Sequence, residues 1–126
     1  MNHLRILLVE DIKVNATLAK ILLERKGHTV KVAWNGNEAI ETFLSGEFDV
    51  ILMDIQMPGI SGIEATEEIR KREKKSSGET RVPIIAMTGG VTKEEKESYL
   101  AAGMDAVVEK PLDPEELFST IEQVVS

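Results

Sequence analysis

There is no cysteine among the 126 residues, so neither a disulfide framework nor a cysteine-based zinc site is possible. No apolar run approaches the ~20 residues that a membrane-spanning helix requires. The first apolar stretch, Ile6-Leu7-Leu8-Val9, is too short for the core of a signal peptide and runs directly into acids. Internal repeats, linkers and low-complexity tracts are also lacking. Positive charge is in short supply: 15 Lys and Arg against 22 Asp and Glu leave a formal net charge of −7. That balance argues against nucleic acid as a direct partner. These absences lead to the expectation of a cytoplasmic protein with no membrane insertion.

The length suits one domain over residues 1–126, enough to bury a single core. Hydrophobic residues at 42% and charged residues at 29% are ordinary for a soluble globular chain. The stretch around which the rest is arranged is Val50-Ile51-Leu52-Met53-Asp54, four apolar residues ending in a carboxylate, with Pro58-Gly59 soon after. A continuous apolar run of this length fits a strand covered on both faces by helices.

Four further runs resemble strands: Arg5 to Val9, Thr29 to Ala33, Ile84 to Met87 ahead of Thr88, and Ala106 to Glu109. Helical segments alternate with them. In the first, Val14, Leu18, Ile21, Leu22 and Arg25 share a face, with Asp11 as the expected N-cap and Gly27 as the stop. Asn35-x-x-Glu38 opens a second, carrying Ala39, Ile40, Phe43 and Leu44. Ser61-x-x-Glu64 opens a third, which runs into the basic stretch Arg70 to Lys75, expected as a solvated helix end. Ser76-Ser77-Gly78 then suggests a surface loop. Thr92-x-x-Glu95 opens a fourth helix, with Tyr99 and Leu100 its large apolar groups. Asp113-Pro114 opens the last, with Leu117, Ile121, Val124 and Val125 inward. Five strands alternating with five helices predict a single (βα)5 α/β domain of flavodoxin-like type. Its five-stranded parallel sheet should have the order 2-1-3-4-5, with helices on both faces.

In such a sheet, ligands bind beyond the carboxyl ends of the strands. Four of those ends carry a reactive or charged group: Glu10-Asp11, Asp54, Thr88 and Lys110. Each alone has a plainer reading: a helix cap, a solubilising carboxylate, a strand end, a solvated lysine. Met53 and Met57 read as packing. Together the groups suit different work. The proposed order makes the first and third strands neighbours and gathers three carboxylates. Unrelieved, these repel and raise one another's pKa, and a hard divalent cation such as magnesium relieves them. A lone carboxylate with a cation, a hydroxyl and a lysine suits phosphoryl transfer to Asp54.

Over almost its whole length the chain closely resembles the receiver domain of two-component response regulators. The segments that carry this are Ile6 to Asp11, Met53-Asp54-Ile55-Gln56-Met57-Pro58-Gly59, Ile84 to Thr88, Ala102-Gly103-Met104-Asp105, and Glu109-Lys110-Pro111. The resemblance implies that Asp54 accepts a phosphoryl group from a histidine kinase or a histidine phosphotransfer domain. It implies magnesium held by Glu10, Asp11, Asp54 and the Gln56 carbonyl, with Thr88 and Lys110 on the phosphoryl oxygens. It also implies a cis Lys110-Pro111 peptide. Such a domain is a signalling module that catalyses only its own phosphorylation and dephosphorylation. Val14-Asn15, Gly62 to Thr66 and Gly103-Met104-Asp105 resemble receivers of hybrid histidine kinases. The sequence ends at Ser126 without an output domain, which fits a free-standing receiver or one taken from a longer chain.

Three positions depart from the family. Val107 stands where an aromatic switch residue is usual, Gly89-Gly90 follows Thr88 where alanine is common first, and Ile12 replaces a polar residue after the acidic pair. Two other functions fit the fold. An aspartyl-nucleophile phosphohydrolase would carry a second Asp where this chain has Gln56. A flavodoxin-type flavin domain would not place Glu10-Asp11 where a phosphate must sit.

Overall fold

The computed structural model describes residues 3–75 and 81–126. The elements alternate as expected: β1 (Arg5–Val9), α1 (Lys13–Arg25), β2 (Thr29–Ala33), α2 (Gly36–Ser45), β3 (Val50–Asp54), α3 (Gly62–Lys75), β4 (Ile84–Thr88), α4 (Lys93–Ala102), β5 (Ala106–Glu109) and α5 (Pro114–Val125). All strand pairs are parallel, and the order is β2-β1-β3-β4-β5. The Ser76-Ser77-Gly78 segment lies outside the described residues.

Period-two alternation divides the strand side chains between two cores. Leu7, Val9, Ile51, Met53, Ile84 and Ala86 face α2, α3 and α4. Ile6, Leu8, Val50, Leu52, Ile85 and Met87 face α1 and α5. Every residue of β3 and β4 is buried, and each large aliphatic side chain contributes roughly 1.5–3 kcal/mol by leaving water. That is why these strands read as unbroken apolar runs.

Helix starts follow the sequence in part. Ser61 and Glu64 form reciprocal backbone caps at 3.1 and 3.2 Å, and Thr92 with Glu95 does the same at 3.0 and 3.1 Å. The Asn35 side chain accepts from the Glu38 N–H at 2.8 Å. Asp11 does not cap α1: Ile12 occupies the cap position with no side-chain hydrogen bond. The Asp11 carboxylate belongs instead to an acidic cluster. Asp113 takes the cap position of α5 without a side-chain bond, so Pro114 is what starts that helix.

The apolar face expected to bury α1 is the wrong one. Ala16, Ala19 and Leu23 are buried against the sheet, while Val14, Leu18 and Ile21 are 62%, 59% and 41% exposed. Both sets recur at helical spacing, and small alanines let the helix axis approach the strands. Leu44 and Leu100, among the apolar groups of α2 and α4, are exposed. Val124 and Val125 are half-buried beside the α1/α5 core.

The basic end of α3 is not wholly solvated either. Arg70 donates to Glu73 at 2.7 Å, to Asp105 at 3.0 Å and to the Gly103 carbonyl at 2.9 Å. Glu73 accepts from the Val82 N–H at 2.7 Å, and Asp105 from the Ile84 N–H at 2.8 Å. This network ties α3 and the α4–β5 turn to the start of β4. Gly103, at φ +115°, has no room for a Cβ, which would lie 2.8 Å from Arg70 Cγ. Lys71, Lys74 and Lys75 are exposed as expected.

Candidate functional site

Parallel pairing brings four strand ends to one rim of the sheet. Glu10 follows β1, fastened by its N–H to the Ala33 carbonyl at 3.0 Å. Asp54 and Thr88 are the last residues of β3 and β4, and Lys110 follows β5. The Lys110 N–H donates to the Thr88 carbonyl at 2.7 Å. The loop after Asp54 must fold back tightly, because α3 begins against the strand end. A Cβ on Gly62 would lie 2.2 Å from the Asp54 carbonyl oxygen.

Glu10, Asp11 and Asp54 each present a carboxylate oxygen within 4.8 Å of the others. Lys110 Nζ lies 3.0 Å from Glu10 Oε1 and 3.2 Å from Asp54 Oδ1. The Gln56 N–H donates to Asp54 Oδ1 at 3.3 Å. Glu10 and Asp54 are almost wholly buried. Burial, the hydrogen bond to Glu10 and the Glu10 charge push the Asp54 carboxyl up to about 7, against the opposing pull of Lys110. Glu10 goes the other way. Burial works to raise it, but its bonds to Asp54 and Lys110 hold it below the ordinary carboxylate value. Burial likewise works against the Lys110 ammonium, and the two carboxylates outweigh it and raise its pKa.

Asp11 Oδ1 is buried and has no hydrogen-bond partner among the described residues. An orphaned carboxylate oxygen beside two more carboxylates is costly to maintain. The donor set is all oxygen, as magnesium prefers, so the residues present fit such an ion. Thr88 is buried at the same rim, but its hydroxyl donates to the Gly90 carbonyl at 2.9 Å. Its proton is thus turned toward the β4–α4 loop. The Lys110-Pro111 peptide is cis, as the resemblance implied.

Two further features border this rim. Tyr99 is buried in the α2/α3/α4 core, where burial and the Glu95 charge raise its phenol pKa and Thr88 interacts with it. The exposed residues of α1 lead to a groove of about 740 Å³ that reaches Lys110, Pro111 and Leu112. Ile12, at the edge of the acidic cluster, is 48% exposed. Val107 is half-buried against the same core as Tyr99, and Met57 packs there too.

The family model described as the response regulator receiver domain matches residues 6–122. The chain belongs to that family. It is 42% identical over 120 residues to the aerobic respiration control sensor protein ArcB of Escherichia coli K12, covering 95% of this chain and 15% of ArcB. Its relatives are hybrid histidine kinases, the subclass expected from Val14-Asn15, Gly62 to Thr66 and Gly103-Met104-Asp105. The chain thus spans a small part of the curated relatives it matches. The receiver domain of the sensor histidine kinase PA1611 from Pseudomonas aeruginosa superposes with a TM-score of 0.86 at 35% identity, covering 98% of both chains. That structure holds magnesium in its active-site cleft. The receiver domain of Saccharomyces cerevisiae Ssk1, solved with the histidine phosphotransfer protein Ypd1, gives a TM-score of 0.90 at 31% identity. It covers 97% of this chain and 88% of that one.

Proposed function

We propose that this receiver domain is the phosphoacceptor of a phosphorelay, taking a phosphoryl group from a phosphohistidine onto Asp54 in a magnesium-dependent step. The observation that carries the reading is the buried Asp54 carboxylate, 3.2 Å from Lys110 and clustered with Glu10 and the partnerless Asp11 oxygen. An Asp54 carboxylate oxygen forms the new P–O bond as the P–N bond to the donor imidazole breaks. The departing imidazole keeps the electron pair and takes up a proton. Glu10, Asp11, Asp54 and the Gln56 carbonyl would hold the magnesium ion. When bound, that ion supplies positive charge against the carboxylates and the incoming phosphoryl oxygens.

The chain's own groups do the rest. Lys110, now paired to both acids, turns its charge to a phosphoryl oxygen. Thr88 exchanges its bond to Gly90 for another phosphoryl oxygen. These two displacements connect chemistry at Asp54 to the β4–α4 loop and change the surface offered to a downstream protein. The product is a changed surface and no released metabolite, so the domain works as a signalling module. Hydrolysis of its own acyl phosphate resets it.

The donor, a histidine kinase or a histidine phosphotransfer domain, must reach Asp54 in line. Ile12, Val14 and Asn15 on one side, with Pro111 and Leu112 on the other, border that approach. The exposed apolar side chains of Ile12 and Val14 suit a protein donor. No helix among the described residues is long and apolar enough to cross a membrane, and we place the domain in the cytoplasm. Intact mass after incubation with acetyl phosphate and magnesium tests the assignment. A single labile phosphate is expected on the wild type and none on Asp54→Asn. Its persistence in the variant, or its absence from the wild type, overturns the reading.

A further inference from the structure

The sheet ends on one side at β2, and that edge is unusual for so acidic a chain. In β2 the Thr29 N–H donates to the Leu4 carbonyl and the Ala33 carbonyl accepts from Glu10. Backbone groups alternate in direction along a strand, so those of Thr29, Lys31 and Ala33 turn toward β1. The N–H and C=O groups of Val30 and Val32 turn outward, and among the described residues no strand lies beyond them. Beside them runs an open cleft of about 330 Å³ between β2 and α1, walled by Lys13, Thr17, Lys20, Lys31 and Trp34. None of these three lysines is in an ion pair among the described residues. Trp34 is the one tryptophan of the chain and is 41% exposed.

Net charge of −7 makes three unpaired lysines around one cleft a local reversal of sign. A lysine on an edge strand has a protective use, since it blunts pairing with other chains. That use accounts for Lys31. It does not account for Lys13 and Lys20 on the neighbouring helix, nor for a large aromatic left in water beside them. Exposed aromatics flanked by charge are typical interface anchors. Unpaired backbone groups in line with these side chains select an extended polypeptide over a compact anion.

We propose that the β2 edge is a docking site for an extended acidic polypeptide segment. The segment adds alongside β2 as a further strand, bonding to the Val30 and Val32 backbone. Its carboxylates meet Lys13, Lys20 and Lys31, and one of its apolar side chains covers Trp34. Strand addition supplies affinity through the main chain, and the lysines select for charge. The site runs along the β2 edge and adjoins the acidic rim only at its Lys13 and Trp34 end.

The test uses an acidic peptide of about ten residues rich in Glu and Val, a length that suits one strand. Because Trp34 is the sole tryptophan, its emission reports binding directly. Saturable binding that weakens with salt is expected, with slowed amide exchange at Val30 and Val32. Lys20→Glu/Lys31→Glu should raise the Kd at least about tenfold, equal to ~1.4 kcal/mol, while acetyl phosphate still phosphorylates Asp54 normally. N-methylation of alternate peptide residues should weaken binding similarly. Unchanged affinity in the double variant overturns the proposal. So does binding without protection at Val30 and Val32, or equally tight binding of phosphatidylserine vesicles that the same variant abolishes.

Discussion

Lys110 Nζ stands 3.2 Å from Asp54 Oδ1, across the gap between the ends of β3 and β5. The β4 strand separates those two ends, so only a side chain as long as lysine spans them. Glu10 takes the same ammonium at 3.0 Å. One cation thus holds two carboxylates that would otherwise repel, while Asp11 is left with an unmet oxygen. The arrangement is incomplete in charge, and each expected behaviour below follows from how it is completed.

Asp54→Asn should abolish phosphorylation and leave the fold intact, since the volume is nearly constant. The stability effect depends on pH. In the metal-free protein the Asp54 carboxyl titrates near 7, above its ordinary 3.8. The native state therefore holds a proton that the unfolded chain releases. That contribution is full below the ordinary value and is lost as pH rises through about 7. The variant lacks the loss, so its stability relative to wild type should increase from about pH 5 to about pH 8. Urea unfolding at both ends of that range checks this, and a difference that shrinks toward high pH counts against it.

Magnesium should raise the melting temperature of the wild type. A ligand at 100 times its Kd that binds only the native state adds about 2.7 kcal/mol. Asp11→Asn should lower that gain, because a neutral amide is a poorer ligand than the carboxylate oxygen now left without a partner. Thermal unfolding across a magnesium series is the measurement. Equal shifts in the two proteins remove Asp11 from the site.

Gly62→Ala should destabilise the domain by about 1–3 kcal/mol, the usual range for forcing an extra methyl into a packed site. The new Cβ would sit 2.2 Å from the Asp54 carbonyl oxygen. Backbone, and not a flexible side chain, would have to yield. Phosphorylation should slow as well, since the shift displaces the end of β3 itself. Unaltered urea midpoint and rate would mean that the α3 start is free to move.

The fold was legible because three strands obey one rule: apolar runs ended by Asp54, Thr88 or the Glu10-Asp11 pair, with capped helices after the first two. The candidate site was legible for the same reason, since topology alone brings those ends together. What stayed hidden had no periodic signature. Two helical faces compete in α1, and spacing cannot tell Ala16-Ala19-Leu23 from Val14-Leu18-Ile21. The decision rests on how close the helix must lie to the sheet. Arg70 and Glu73 sit in a run of charges that looks solvated, and only the folded chain brings Asp105 and the Val82 N–H to them. Asp11 is of a residue type favoured at helix caps, yet its carboxylate joins the acidic cluster.

Ile12 gives the sharpest separation between chemistry and recognition. It borders the acidic cluster, is 48% exposed, and so contributes little to the core. Its N–H reaches Glu10 Oε2 only at a long 3.4 Å. As the cap residue of α1 it makes no side-chain bond, so Ser there should support the helix at least as well. Ile12→Ser therefore removes apolar surface without adding charge to the magnesium site, which Ile12→Asp would do. If the phosphodonor docks over this residue, Ile12→Ser should slow transfer from a phosphorylated histidine phosphotransfer protein about tenfold, or ~1.4 kcal/mol of transition-state contact. Acetyl phosphate needs no docking surface, and its reaction with the same variant should proceed at the wild-type rate. Ile12→Asp should be slower still with the protein donor. Equal losses with both donors would make Ile12 a support of the acidic cluster, and an unchanged rate with the protein donor would move the docking surface elsewhere.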